Sequence, residues 1–111
     1  MLNSFLSATT YYVSTAGNNG WDGLAPAYVS GTNGPWLTLT YANSRVTAGD
    51  TVQIRGGTYQ DEIVTWTTNG TSGNQITITN YASEVPILDG EYTIPSNHLI
   101  NRLIIVLTLF G

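Results

Sequence analysis

Between Thr51 and Arg55 apolar and polar residues alternate: Val52 and Ile54 fall to one side, and Thr51, Gln53 and Arg55 to the other. That pattern predicts a short half-buried strand. It runs straight into Gly56-Gly57 and then Thr58-Tyr59. Glycine alone reaches positive φ without strain, so the pair predicts a sharp turn. The alternation returns about 25 residues later as Gln75–Thr79, with Ile76 and Ile78 inward, and again as Leu103–Phe110. A recurrence of that length lies within the roughly 20–50-residue periods of solenoids.

The remaining segments are read in the same way. Tyr11-Tyr-Val-Ser14 is aromatic and β-branched, a first strand. Residues 15–35 form a long loop rich in Gly, Asn and Pro, with Trp21, Leu24, Tyr28 and Val29 available to pin it down. Apolar positions at helical spacing predict one short amphipathic helix within Thr38–Val46. Pro35 precedes it, Thr38 or Thr40 can serve as the N-cap, and Gly49 is the expected stop. Glu62–Thr67 reads as a strand with Ile63 on its apolar side and Trp66 toward solvent. Asn69–Asn74 is a turn cluster. Val85–Gly90 is a short strand closing on an Asp89-Gly90 turn, Glu91–Ile94 is extended, Pro95–His98 is a loop, and Leu99–Phe110 supplies the last strands. No tight two-residue hairpin joins matched alternating runs, which favours parallel stacking of coils over a meander.

Composition narrows the function. With 111 residues there is material for one modest domain, and 41% hydrophobic content is enough to bury a core. Charged residues make up only 9%, so solubility rests on Asn, Thr, Ser and Gly, as in extracellular β-rich proteins. Net charge is −4, and the three basic residues, Arg45, Arg55 and Arg102, are scattered. No basic stripe exists to follow a nucleic acid or an anionic membrane. Leu99–Phe110 is too short and too interrupted to span a bilayer. The absence of cysteine removes disulfides and thiolate metal sites. Residues 1–10 lack a basic segment and an apolar run, and are read as an N-terminal leader or the remnant of one; residues 11–111 form the domain.

In order and spacing, several segments resemble a known family. They are Tyr11–Ser14, the loop holding Asp22-Gly23, Pro35–Ala42, Ala48–Tyr59, Gly73–Ile78 and Pro86–Gly90. Together they resemble the N-terminal region of right-handed parallel β-helix proteins of the pectate-lyase-like superfamily, over residues 11–90. The resemblance implies an all-β fold: the N-terminal fragment of a right-handed parallel β-helix, two to three rungs long, with a short capping α-helix. Asp50 would then stand at the turn before the first full rung. Gly56-Gly57 would turn the chain between two sheets, and Asp89-Gly90 would do so one rung later. The resemblance further implies a longer secreted parent that acts on polysaccharide, as a lyase performing β-elimination with calcium and a lysine or arginine base on its middle rungs.

Within this chain the candidates are few. Arg55 and Arg102 are the only basic residues near rungs, and Arg55 reads better as an outward solvated side chain, or a partner for Asp50 or Asp61, than as a base. Asp89 and Glu91 can share a strand face and stack near Glu62, the one arrangement that could approach a cation; a turn aspartate and a solvated glutamate is the plainer reading. His98 is a lone loop residue with no triad around it. Trp21 and Trp66 are the candidates for stacking on sugar rings, while Trp36 reads as core beside the helix. No catalytic residue and no cofactor is assigned to the chain, whose expected part is to cap the solenoid and nucleate its first rungs. A non-catalytic surface, adhesion or tail-fibre-like protein on the same fold, or a small carbohydrate-binding domain, is the alternative. The apolar, uncharged run Leu103–Phe110 is an expected self-association edge.

Overall fold

The computed structural model describes residues 8–93 and 103–106. Six strands and one helix follow in order: β1 Thr10–Val13, α1 Leu39–Arg45, β2 Thr51–Ile54, β3 Gly57–Thr65, β4 Ile76–Asn80, β5 Pro86–Thr93 and β6 Leu103–Val106. The chain is therefore mostly strand. One sheet runs β1-β2-β4-β6 and the other pairs β3 with β5. Every strand pair is parallel. Parallel neighbours cannot be joined by tight hairpins, so the chain must leave the sheet between them. It does so by alternating sheets, with β3 lying between β2 and β4 in sequence, and β5 between β4 and β6.

Register sorts the side chains. Tyr11, Val52 and Ile78 share one register position, and Val13 and Ile54 another. Val13, Val52, Ile54, Ile76 and Ile78 are all buried. Between them, Thr10, Thr51 and Thr77 align, as do Tyr12, Gln53 and Thr79. The alternation read at Thr51–Arg55 is thus the division between core and outer face.

The seven-residue helix is too short to hold itself in water and depends on packing. Leu39 and Ala42 are buried against Trp36 and Val46. Of the two expected N-caps the structure uses Thr38, whose hydroxyl accepts from the Tyr41 amide at 3.1 Å. Within the expected bounds, and with Gly49 following three residues on, the helix ends at Val46. The cause is Asp50, which is buried and accepts from the Thr47 amide at 2.8 Å and the Thr47 hydroxyl at 3.2 Å, drawing the chain out of helical geometry. Asp50 also accepts from the Thr9 amide at 3.1 Å, tying the approach to β1 to that to β2.

The corner after β2 uses Gly57 at φ +133°, a conformation open to little besides glycine. Two expectations in the second sheet are overturned. Ile63 is 69% exposed, whereas Val64 and Trp66 are buried. The reason is a β-bulge: Gln60 pairs with Asp89 and Glu62 with Gly90, leaving Asp61 as an extra residue that inverts the facing of everything after it. Asp89-Gly90 is likewise no turn, because β5 continues through it to Thr93. Gly90 serves the bulge instead. A Cβ there would lie 2.2 Å from the Glu62 carbonyl oxygen. Residues 1–7 of the segment read as a leader, Pro95–His98, Arg102 and the run beyond Val106 lie outside the described residues.

The bulge makes two neighbouring substitutions diverge. Trp66→Ala should cost about 3–5 kcal/mol of stability in urea denaturation. Ile63→Thr should remain within about 0.5 kcal/mol of the parent. Comparable losses at both positions would contradict the facing described.

Candidate functional site

Two outer edges of the sheets are covered, each by different means. Along β1 the cover is main chain. The Tyr12 amide donates to the Gly23 carbonyl, the Trp36 amide to the Tyr12 carbonyl and the Ser14 amide to the Trp36 carbonyl, each at 2.8 Å. The loop supplying these partners is itself braced. Asp22 accepts from the amides of Leu24 and Gly34 and from the Asn33 side chain. The Leu24 amide is the main reason its carboxyl titrates below the usual value, with Asn33 and Gly34 adding to it. Asn19 accepts from the Leu37 amide at 2.9 Å and donates to the Thr38 hydroxyl at 3.2 Å, fastening the loop to the start of α1. Trp36 fills the space beneath: its ring stacks on Tyr11 at 4.5 Å and meets Tyr41 edge-on, and its indole N–H donates to the Trp21 carbonyl.

Along β3 the cover is the polar side of α1. Thr40 Oγ1 shares its one proton between the Ile63 carbonyl at 3.3 Å and the nearer Glu62 carboxylate, and Asn43 Nδ2 donates to the Thr67 hydroxyl at 3.0 Å. Asn43 Oδ1 accepts from the amides of Thr67 and Thr68, both at 3.0 Å, and Thr68 Oγ1 donates to the Asn43 carbonyl at 2.6 Å. The Glu62 carboxylate reaches back to the helix, with Oε2 accepting from the Thr40 amide at 2.8 Å and the Thr40 hydroxyl at 3.0 Å.

Arg55 pairs not with Asp50 but with Glu84, 29 residues on, and the Asp61 side chain lies outside what the structure describes. Nε and Nη2 donate to the two carboxylate oxygens, both at 2.9 Å, and Nη1 donates to the Pro26 carbonyl at 2.6 Å. Sequence reasoning passed over Glu84 because nothing local marks it. Its partner arrives only when the next coil stacks. The Gly56 amide also donates to Glu84 at 2.8 Å, and the guanidinium lies 4.7 Å from the Tyr81 ring centre. The Arg55 hydrogen bonds, with the Gly56 amide, hold the Glu84 carboxyl down at about 2, and the same pairing raises Arg55. A guanidinium so held keeps its proton and is unsuited to be a base. The arrangement clasps one coil to the next at the corner. Tyr59, whose hydroxyl donates to the Arg55 carbonyl at 2.7 Å, is pushed up by burial.

The remaining candidates separate. Trp66 is a correction: it is 1% exposed in the core, its indole N–H donating to the Thr68 carbonyl at 2.7 Å, and it cannot meet a sugar. The strand facing set by the bulge turns it inward. Trp21 is half-buried and packs against the exposed Tyr28 with ring centres 4.6 Å apart. Asp89 and Glu91 are exposed on β5, while Glu62, opposite Gly90, is directed to Thr40. Among the described residues no three potential ligands converge, so the calcium implied for longer relatives finds no fitting cage there. Beside α1 an open cleft of ≈ 280 Å³ is lined by Thr15, Leu37, Thr38, Thr58, Tyr59, Gln60 and Glu62. Sequence reasoning missed it too, because its walls come from three separated segments.

No family model matches the chain. Over 57 residues it is 42% identical to YwoF, an uncharacterized protein of Bacillus subtilis (strain 168); the alignment spans 51% of this chain and 12% of that protein. Among solved structures it is similar to XylC in complex with xylose, at 26% identity and a TM-score of 0.58, covering 71% of this chain and 11% of that one. It is similar also to a rhamnogalacturonan lyase at 22% identity and a TM-score of 0.58, covering 94% of this chain and 28% of that one. The chain thus spans a minor part of each protein it matches. The second likeness speaks to the fold alone.

The Arg55–Glu84 clasp sets a pH dependence. A carboxyl lowered in the folded state stabilises the fold above its ordinary value of 4.5, and that contribution fades as pH falls toward about 2. Stability measured by denaturant titration should therefore decline through this acid window, and Glu84→Gln should flatten that decline while lowering stability at neutral pH. An unchanged acid slope in the variant would show that other carboxylates govern the window.

Proposed function

We propose that this chain is the capped first part of a right-handed parallel β-helix, in a longer secreted protein that acts on polysaccharide. Its own role is structural. It closes one end of the stack and templates the coils that follow. The observation that carries this reading is the double cover: loop main chain along β1 and helix side chains along β3, with parallel coils stacked on the far side of both. A coiled stack needs such a cover at its end, where apolar core and unpaired strand edges would otherwise meet water. The solved neighbour with xylose bound, at 26% identity, supports carbohydrate as the business of the whole protein. The low charge and polar-uncharged composition support a place outside the cell. Cleavage, with any calcium it needs, belongs in this reading to rungs of the longer protein.

The test is the state of association. β6, paired only with β4 among the described residues, offers its other side to a further strand. The chain alone should therefore self-associate in sedimentation velocity. Ile104→Lys, at the register position of Thr77, should shift it toward monomer. Appending a further rung should do the same and raise Tm. A stable monomer whose Tm ignores an added rung would overturn the reading.

A further inference from the structure

The cleft beside α1 shares Thr38 and Glu62 with the cap bonding but is no part of the clasp, and its chemistry is specific. Its walls come from the turn after β1 (Thr15), the approach to the helix (Leu37, Thr38) and the first half of β3 (Thr58, Gln60, Glu62). Thr58 and Gln60 are exposed, and Leu37 is 41% exposed. Hydroxyls, an amide with both donors and acceptor, and a carboxylate thus surround an apolar contact. The carboxylate is already oriented. Both of its bonds to Thr40 fall on Glu62 Oε2, and among the described residues no donor meets Oε1, which can accept from a ligand. Among the described residues no cationic side chain lines the cleft. At ≈ 280 Å³ it lies just below the usual range for small-molecule sites, about 300–1,000 Å³, and suits a single ring.

We infer that this cleft binds one neutral sugar unit, with Glu62 Oε1 and the Gln60 amide on ring hydroxyls and Leu37 against the ring's C–H face. A hydroxylated ring presents donors for the carboxylate and both functions for the amide. An acidic sugar would bring a second carboxylate beside Glu62, where no described residue lining the cleft offers a cation to offset it. The site therefore selects against uronates. It lies beside the cap, apart from the outer face of the four-stranded sheet. Binding is weak, since a single small ring offers few contacts.

D-xylose and D-glucuronate carry the same ring hydroxyls and differ by the C5 carboxylate, which makes them a matched pair. Saturation-transfer NMR on the full chain, which tolerates self-association, reads both. Transfer to xylose is expected, with transfer to glucuronate about fivefold weaker, a difference of about 1 kcal/mol. Leu37→Ala and Gln60→Ala should each reduce the xylose signal by about the same factor, with circular dichroism unchanged. Glu62→Gln, which keeps an acceptor for Thr40, should raise glucuronate relative to xylose. Tyr28→Ala should change nothing. A stronger response to xylotriose assigns the site to a polysaccharide end, and an equal one to a free sugar; both uphold it. Absence of transfer, equal transfer to glucuronate, or loss in Tyr28→Ala with retention in Leu37→Ala would each overturn the inference. None of these outcomes bears on the cap, whose test is association and Tm.

Discussion

The structure depends on satisfying the main chain of the first strand on both sides. A parallel stack passes its hydrogen bonds from coil to coil, and only at its end does a strand lack a neighbour. Here β1 gives one side to β2 and the other to the loop of residues 15–38, through Gly23 and Trp36. The loop is long because it must lie along a strand and then deliver a helix to the second sheet. Its Asp22 and Asn19 bonds, and the packing of Trp36 on Tyr11, hold it where those carbonyls and amides are needed.

The helix shows how little intrinsic propensity matters when polar groups find partners. Threonines and asparagines weaken α1 as an isolated helix. In place, Thr38 caps it, Thr40 bonds Glu62 and the Ile63 carbonyl, and Asn43 takes the amides of Thr67 and Thr68. These side chains compete with the helix in water and complete the edge of β3 in the fold. The same economy appears at Asp50 and at Glu84, where each carboxylate collects bonds from segments distant in sequence.

What could be read beforehand was local or periodic. The alternation at β2 and β4, the parallel stacking and the short helix capped by Thr38 follow from patterns of a few residues. The phase of β3 did not, because a bulge is fixed by pairing with β5 and leaves no signature in its own strand; Ile63 and Trp66 were accordingly assigned to opposite faces from those they occupy. Asp89-Gly90 looked like a turn because that dipeptide commonly is one, whereas here the glycine admits the Glu62 carbonyl. The Arg55–Glu84 clasp and the cleft beside α1 are products of stacking and were invisible one segment at a time.

The extra residue at Asp61 gives the second sheet something like a reading frame. Upstream of it, Tyr59 sends an odd-numbered position inward; downstream, Val64 and Trp66 send even ones. Indels drift freely through surface loops. At this point, removing one residue would exchange the inner and outer faces of the rest of β3, and Gly90 would lose the neighbour it makes room for. The coil can therefore vary in length at its corners but not along this strand, and descendants of the sequence are constrained to keep both the inserted residue and the glycine, or to lose them together.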